Sequence, residues 1–232
     1  EYREFIDERI TISEHWRDVL IDKYGEHYTK THVFSNSIDL NEFDPSSHSR
    51  EVARARLGID DSTRVVSFVG RLQEQKNPAV FFELARLFES IPGYRFVVAG
   101  DGPERESLLA SHGKLRNLTY VGPSNDVPSL IAASDVLVFT SVFEGYPLTS
   151  LEAAAMNVPV IAPDIVGFRE QIEEGGFGLL YTPTGDAGID ARSLQDILLS
   201  RWSPLMALGA RGREYVATHH DNARHREEYA AF

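Results

Sequence analysis

The sequence predicts an α/β fold, a doubly wound parallel sheet with helices on both faces and an N-terminal linker segment. Two patterns predict it. Short apolar, β-branched runs recur along most of the chain, apolar at nearly every position rather than every second one, as strands covered on both faces require. Between them lie runs of helical length and period, separated by turns rich in Gly, Pro, Asn and Asp. With 232 residues, 42% of them hydrophobic, there is material for one large α/β domain and a further piece.

Each element follows in order. Residues 8–26 hold a strand-like ERITIS and then the amphipathic EHWRDVLIDKYG, with Ser13 as N-cap and Gly25 as stop. THVFSNSIDLNEFDPSSHS runs through polar turn chemistry to Pro45 and a serine-rich stretch, a boundary signal that separates a segment 1–45 from a main domain 46–218. The alternation then reads VVSFVG (65–70), helix 77–91, RFVVAG (95–100), helix 104–112, LTYVG (118–122), helix 127–134 and DVLVFTS (135–141). It continues with helix 149–156, VPVIA (158–162), helix 167–175, GLLYTP (178–183) and two helices near 189–201 and 204–218. The last part, 219–232, ends in NARHREEYAAF, a separate helical tail.

Composition removes several functions. A formal charge of −12 without any Lys/Arg block argues against a nucleic-acid or anionic-membrane binder. A local basic pocket for a small anion stays compatible with it, because charges are screened over about 8 Å. No apolar run is long enough to span a bilayer, and EYREFIDERI lacks the basic-then-apolar order of a signal peptide. Without cysteine there are no disulfides or thiolate metal sites, and the cytoplasm is the expected compartment. The chain opens on Glu1 in mid-pattern and is read as a piece of something longer. His219, His220 and His225 share no helix face with a carboxylate, so no metal site is expected and all three are read as solvent-facing.

Nucleotide signatures come next. GDGPER (100–105) has Arg105 where a dinucleotide fingerprint needs Gly or Ala, so it reads as a Gly-rich turn with Pro103 near the first helical position. At the end of the first main strand, FVGRLQEQKNP sets Gly70, Arg71 and Lys76 at the carboxyl edge of the sheet. A second loop, VFEGYPLTSLE, sets Glu144 and Glu152 around a Gly-Tyr-Pro turn that opens a helix. Two cations beside free helix amides form a candidate diphosphate clamp, and carboxylates accept well from sugar hydroxyls. Each residue has a second reading: Arg71 and Lys76 as solvated charges, Glu144 as an exposed loop acid, Glu152 as the end of a Thr149-Ser150-Leu151-Glu152 capping box.

GRLQEQKN (70–77), AGDGP (99–103) and EGYPLTSLEAAAMNVPVIA (144–162) together resemble the donor domain of retaining, family-four glycosyltransferases of the GT-B fold. The likeness extends from about residue 8 to 183. The resemblance implies a Rossmann-like C-terminal half of that fold, a nucleoside diphosphate sugar as donor substrate, and no cofactor or metal. It implies that Arg71 and Lys76 bind the diphosphate and stabilise the leaving nucleotide, that Glu144 holds donor-sugar hydroxyls, and that Glu152 binds the ribose. Backbone groups of Gly70, Gly145, Tyr146, Leu148 and Thr149 would line the donor, with Ser124 to Asp126 near the base. Pro147, having no N–H, would shape the turn. The partner implied is an N-terminal acceptor domain of the same chain, which would also carry any peripheral membrane contact and onto which NARHREEYAAF would cross back, leaving Tyr229 and Phe232 under-buried here. Two residues depart from the family pattern: Ser37 replaces Gly in Asn36-Ser37-Ile38-Asp39, and Asn157 replaces the Gly after the second glutamate's helix. Asn tolerates the left-handed conformation next best, so Asn157 is expected to keep that turn. Two alternatives share the ligand: a non-catalytic nucleotide-sugar-binding module and a GT-B sugar-nucleotide epimerase.

Overall fold

The computed structural model describes residues 7–231. β1 (Arg9–Thr11) and β2 (Thr31–Val33) pair in parallel, with α1 (Glu14–Tyr24) between them. The Ser13 hydroxyl accepts the Trp16 N–H at 3.3 Å, and Gly25 closes the helix in the left-handed conformation with its N–H returned to the Ile21 carbonyl. β2 was absorbed into the turn region of the sequence reading, because three residues carry no period.

The remaining strands are β3 (Arg64–Val69), β4 (Tyr94–Ala99), β5 (Leu118–Gly122), β6 (Val136–Val138), β7 (Val160–Pro163) and β8 (Gly178–Tyr181). All are parallel, in the order β5-β4-β3-β6-β7-β8. Successive side chains point to opposite faces: Val136 and Val138 enter one core, Leu137 and Phe139 the other. The first core packs α3 (Pro78–Leu87), α4 (Arg105–His112), α8 (Ala187–Ser200) and α9 (Trp202–Met206) on one face, around Phe81, Phe82, Phe88 and Phe96. The second packs α5 (Val127–Ala133), α6 (Leu148–Ala155), α7 (Val166–Gly175) and α10 (Gly209–His219) on the other. Helices covering both faces are what the continuous apolar strands demand.

Several expectations are corrected. The serine-rich stretch after Pro45 leads directly into a helix, α2 (Arg50–Arg56), capped by the Ser49 hydroxyl. Its polar sequence hid it, since Arg54 is fully buried and spends its guanidinium on the carbonyls of Ala133, Asp61 and Thr63 and on Asp135. Residues 204–218 span parts of two helices, not one. Pro103 lies two residues before α4 rather than in its first turn. Ser37 needs no glycine, because the only non-glycine residues with positive φ among those described are Asn77 and Asn157. Asn157, at φ 59°, keeps the turn as expected.

α11 (Asn222–Ala231) is the helical tail, and Tyr229 is exposed even though its ring meets Phe34 at 4.8 Å. Phe232 lies outside the described residues. Just before α11, Asp221 pairs with Ile38 as a short parallel bridge. Ile38 and Phe43, from the segment before Pro45, sit in the second core.

Candidate functional site

Chain order in the sheet reverses between β3 and β6, and in open α/β sheets ligands bind outside the carboxyl ends of the strands at such a switch point. The loops that leave these two strands are the two singled out by sequence. They are laced together: the Val142 N–H donates to the Gln75 carbonyl (2.8 Å), the Gln75 amide to the Phe143 carbonyl (3.1 Å), and the Thr140 hydroxyl to the Lys76 carbonyl (2.7 Å). Across them the Lys76 ammonium meets Glu144 Oε1 at 2.5 Å, and the same oxygen accepts the Ser141 hydroxyl at 2.7 Å. The Glu144 side chain is only 8% exposed, which removes the reading of it as a loose surface acid. Lys76 likewise is paired rather than solvated, in a setting shielded enough for the attraction to exceed that of a surface ion pair.

The turn after Glu144 is held from three directions. Asn36 Nδ2 donates to the Tyr146 carbonyl at 2.6 Å. The Pro147 carbonyl accepts both the Ser150 hydroxyl (3.0 Å) and the Gln171 amide (3.2 Å), all three being buried. Gly167 opens α7 so close beneath that a Cβ there would lie 2.8 Å from the Glu144 carbonyl. This locks the entry to α6, whose N-terminus carries no side-chain cap and begins at the exposed Leu148 and half-buried Thr149. Free helix amides and the positive end of the helix dipole therefore stand at the switch point.

Because Pro147 is the N-cap and Thr149 the second helical residue, the capping box at Glu152 is out of frame. Glu152 is half-buried on α6, and burial, with the Glu42 charge second, raises its carboxyl to about 7 against the opposing hydrogen bond from the Thr149 hydroxyl.

Arg71 is exposed and faces an open hollow with Asp101, Gly102, Pro103 and Arg105, where Arg105 is turned onto Asp101 at 3.2 Å. The glycines of GDGP explain the hollow's wall. A Cβ on Gly100 would lie 1.8 Å from the Gly70 carbonyl, and one on Gly102 2.2 Å from that of Leu72, so these positions let the β3 and β4 loops run backbone to backbone. Gly70 itself donates its N–H to Ala99. Ser124 and Asp126 line a different hollow, with Arg56, Leu57 and Ser129. They follow the edge strand β5, where the Ser124 hydroxyl accepts the Asp126 N–H and Asp126 caps α5 and meets Arg56 at 3.5 Å.

His220 overturns its solvent-facing reading, being 3% exposed. Burial lowers its imidazole to about 4. Its Nε2 lies 3.1 Å from the Tyr146 hydroxyl and 3.0 Å from that of Tyr215, which reaches Glu174. Nothing in the spacing of the three histidines separates it from its exposed neighbour His219. Asn36 was legible only as part of a motif, and Ser150 and Gln171 not at all.

The chain is a doubly wound α/β domain with a paired cation and carboxylate at its switch point, beside a helix N-terminus without a side-chain cap. The chain belongs to the glycosyl transferases group 1 family, which residues 49–215 match. It is 37% identical over 145 residues to the UDP-Gal:alpha-D-GlcNAc-diphosphoundecaprenol alpha-1,3-galactosyltransferase of Escherichia coli, covering 60% of this chain and 38% of that protein. It is 31% identical over 174 residues to the D-inositol 3-phosphate glycosyltransferase of Mycobacterium tuberculosis, covering 70% and 35%. Among solved structures, Anabaena HepE in complex with UDP superposes with a TM-score of 0.83 at 22% identity, over 99% of this chain and 64% of that one. The lipopolysaccharide glycosyltransferase WaaG superposes at 0.75 and 24% identity, over 90% and 58%. The fold is that of the GT-B glycosyltransferases. The chain spans little more than a third of the length of these curated relatives.

Proposed function

We propose that this chain is the donor-binding half of a retaining glycosyltransferase, which transfers a sugar from a nucleoside diphosphate sugar to an acceptor held by a separate N-terminal domain. The observation that carries the reading is the Lys76–Glu144 pair at the switch point, beside the amides of α6. An ammonium has three protons and Glu144 uses one, so the others can meet diphosphate oxygens while Glu144 Oε2 accepts from sugar hydroxyls. Arg71 adds a fork-shaped second cation from the exposed side. As the bond from sugar to diphosphate breaks, negative charge grows on the leaving phosphate, and Lys76 and Arg71 bound to it would favour that state over the ground state. Glu144 serves as a positioning carboxylate for the sugar, Glu152 accepts from the ribose, and backbone groups of Gly145, Tyr146, Leu148 and Thr149 line the phosphates and sugar. Ser124 and Asp126 are assigned to the base side. The donor would be a uridine diphosphate sugar, in keeping with the name of the Escherichia coli relative.

Residues 46–218 would be the donor domain, 1–45 the end of the acceptor domain with the inter-domain linker, and 219–232 the crossover to the acceptor domain, in a cytoplasmic protein. By itself the chain would bind donor and transfer negligibly, since the acceptor pocket belongs to the other domain. Isothermal titration with UDP, GDP and ADP, each free and as its glucose conjugate, tests the reading. Selective binding of UDP and its conjugate is expected; selective binding of GDP or ADP would overturn the uridine donor, and binding of none, or rapid sugar transfer by this chain alone, would overturn the reading as a whole.

A further inference from the structure

Resting on that reading, we propose that His220 is a positioning residue for the donor-sugar turn, making the geometry of Glu144 to Tyr146 depend on the docked C-terminal segment. Three residues far apart in sequence close a ring. Asn36 gives its side-chain amide to the Tyr146 carbonyl (2.6 Å) and its own carbonyl to His220 Nδ1 (3.0 Å), while His220 Nε2 meets the Tyr146 hydroxyl (3.1 Å). Tyr146 is thereby held at both ends, backbone and hydroxyl, by one linker residue and one residue of the C-terminal segment. The Asn36 carbonyl accepts only, so Nδ1 carries the proton and Nε2 accepts from the Tyr146 hydroxyl, the single Tyr215 proton being given to Glu174.

The ring is anchored where the two segments pair. The Ile38 N–H donates to the His220 carbonyl (2.8 Å) and the Asn222 N–H to the Ile38 carbonyl (3.0 Å), so the bridge fixes His220 on both sides. Tyr146 lies two residues after Glu144, so a shift of its ring moves the sugar carboxylate, while the start of α6 stays held by the bonds of the Ser150 hydroxyl and the Gln171 amide to the Pro147 carbonyl. The His220 ring packs against those of both Tyr146 (5.5 Å) and Tyr215 (5.0 Å) in a buried group. A histidine that merely filled the core would leave the sugar contact indifferent to which of its nitrogens is kept.

The test compares the whole chain with Tyr146→Phe, His220→Asn and His220→Gln. Each is titrated with whichever of UDP, GDP or ADP the parent binds, free and as the glucose and galactose conjugates, and each is melted. An Asn amide reaches roughly the Nδ1 position and keeps the bond to the Asn36 carbonyl. A Gln amide oxygen reaches the Nε2 position and accepts from Tyr146. The ratio of conjugate to free-nucleotide affinity should fall at least fivefold in Tyr146→Phe and His220→Asn and be largely retained in His220→Gln, with free-nucleotide affinity within twofold of the parent. A ratio unchanged in Tyr146→Phe and His220→Asn, or one that falls only together with free-nucleotide affinity and melting temperature, would assign His220 to core packing. A parent that binds no free nucleotide overturns the donor reading and this inference with it.

Discussion

Lys76 is a cation already neutralised by Glu144, and its value to a diphosphate is the two protons outside that pair. Lys76→Ala should therefore weaken nucleoside diphosphate binding by about 1.5–3 kcal/mol, the scale of a charge-assisted hydrogen bond. It also leaves Glu144 unpaired in a nearly closed site, so binding of the sugar conjugate should suffer at least as much. Titration of both ligands against the variant decides it, and unchanged affinity for both would remove Lys76 from the site. Glu152 makes a different claim. A ribose diol donates to the ionised carboxylate, and burial has brought that ionisation to about 7. Sugar-nucleotide affinity should rise between pH 6 and 8, up to about tenfold per unit below the carboxyl's own value, because binding must release the proton. A diphosphate diester does not titrate in this range, so Glu152→Gln should flatten the profile as well as lower it; a parent profile flat from 6 to 8 would remove Glu152 from the ribose.

Elements show which parts of this arrangement can be read without coordinates. The strands of the main sheet were legible because burial on both faces leaves unbroken apolar runs, and α1 because Ser13 and Gly25 mark its ends. The loops were legible as places where Gly, Arg, Lys and Glu gather at strand ends. What stayed hidden depends on partners distant in sequence. α2 is polar because Arg54 bonds to carbonyls up to 79 residues away. The exclusion of Thr149 as a cap required knowing that α6 starts one residue earlier. The glycines at 100 and 102 were recognised as a turn, but their reason is the neighbouring loop. Gly100→Ala places a methyl into the Gly70 carbonyl at φ 141°, and should cost at least about 3 kcal/mol in denaturant unfolding, because backbone must move on both sides. Gly93→Ala, at φ 83° but with nothing within 4 Å, should cost only about 1 kcal/mol for its backbone conformation. Equal losses in the two would mean that the close approach of the β3 and β4 loops is not what glycine serves at position 100.

For the whole molecule, two buried groups set opposing dependences of stability on pH. His220 is depressed to about 4, so the unfolded chain takes up a proton that the fold refuses, and stability present above about 6.5 is lost as the pH falls toward 4. Glu152 is raised to about 7, so its contribution is full below about 4.3 and is lost as the pH rises to 7. Between about 4.5 and 6.5 the unfolded chain binds one proton more than the fold at the histidine and one fewer at the glutamate, and the two slopes of roughly 1.4 kcal/mol per pH unit nearly cancel. The parent chain should thus melt at an almost constant temperature across this window. Glu152→Gln removes one slope and leaves the other, so its melting temperature should fall on acidification from 6.5 to 4.5 while exceeding the parent's at pH 8, where the parent carries an ionised, half-buried carboxylate. Thermal melts of the two proteins at half-unit intervals from pH 4.5 to 8 provide the comparison. Parallel curves throughout would mean that Glu152 ionises as freely in the fold as in the unfolded chain, and the pH dependence argued for ribose recognition would lose its physical basis.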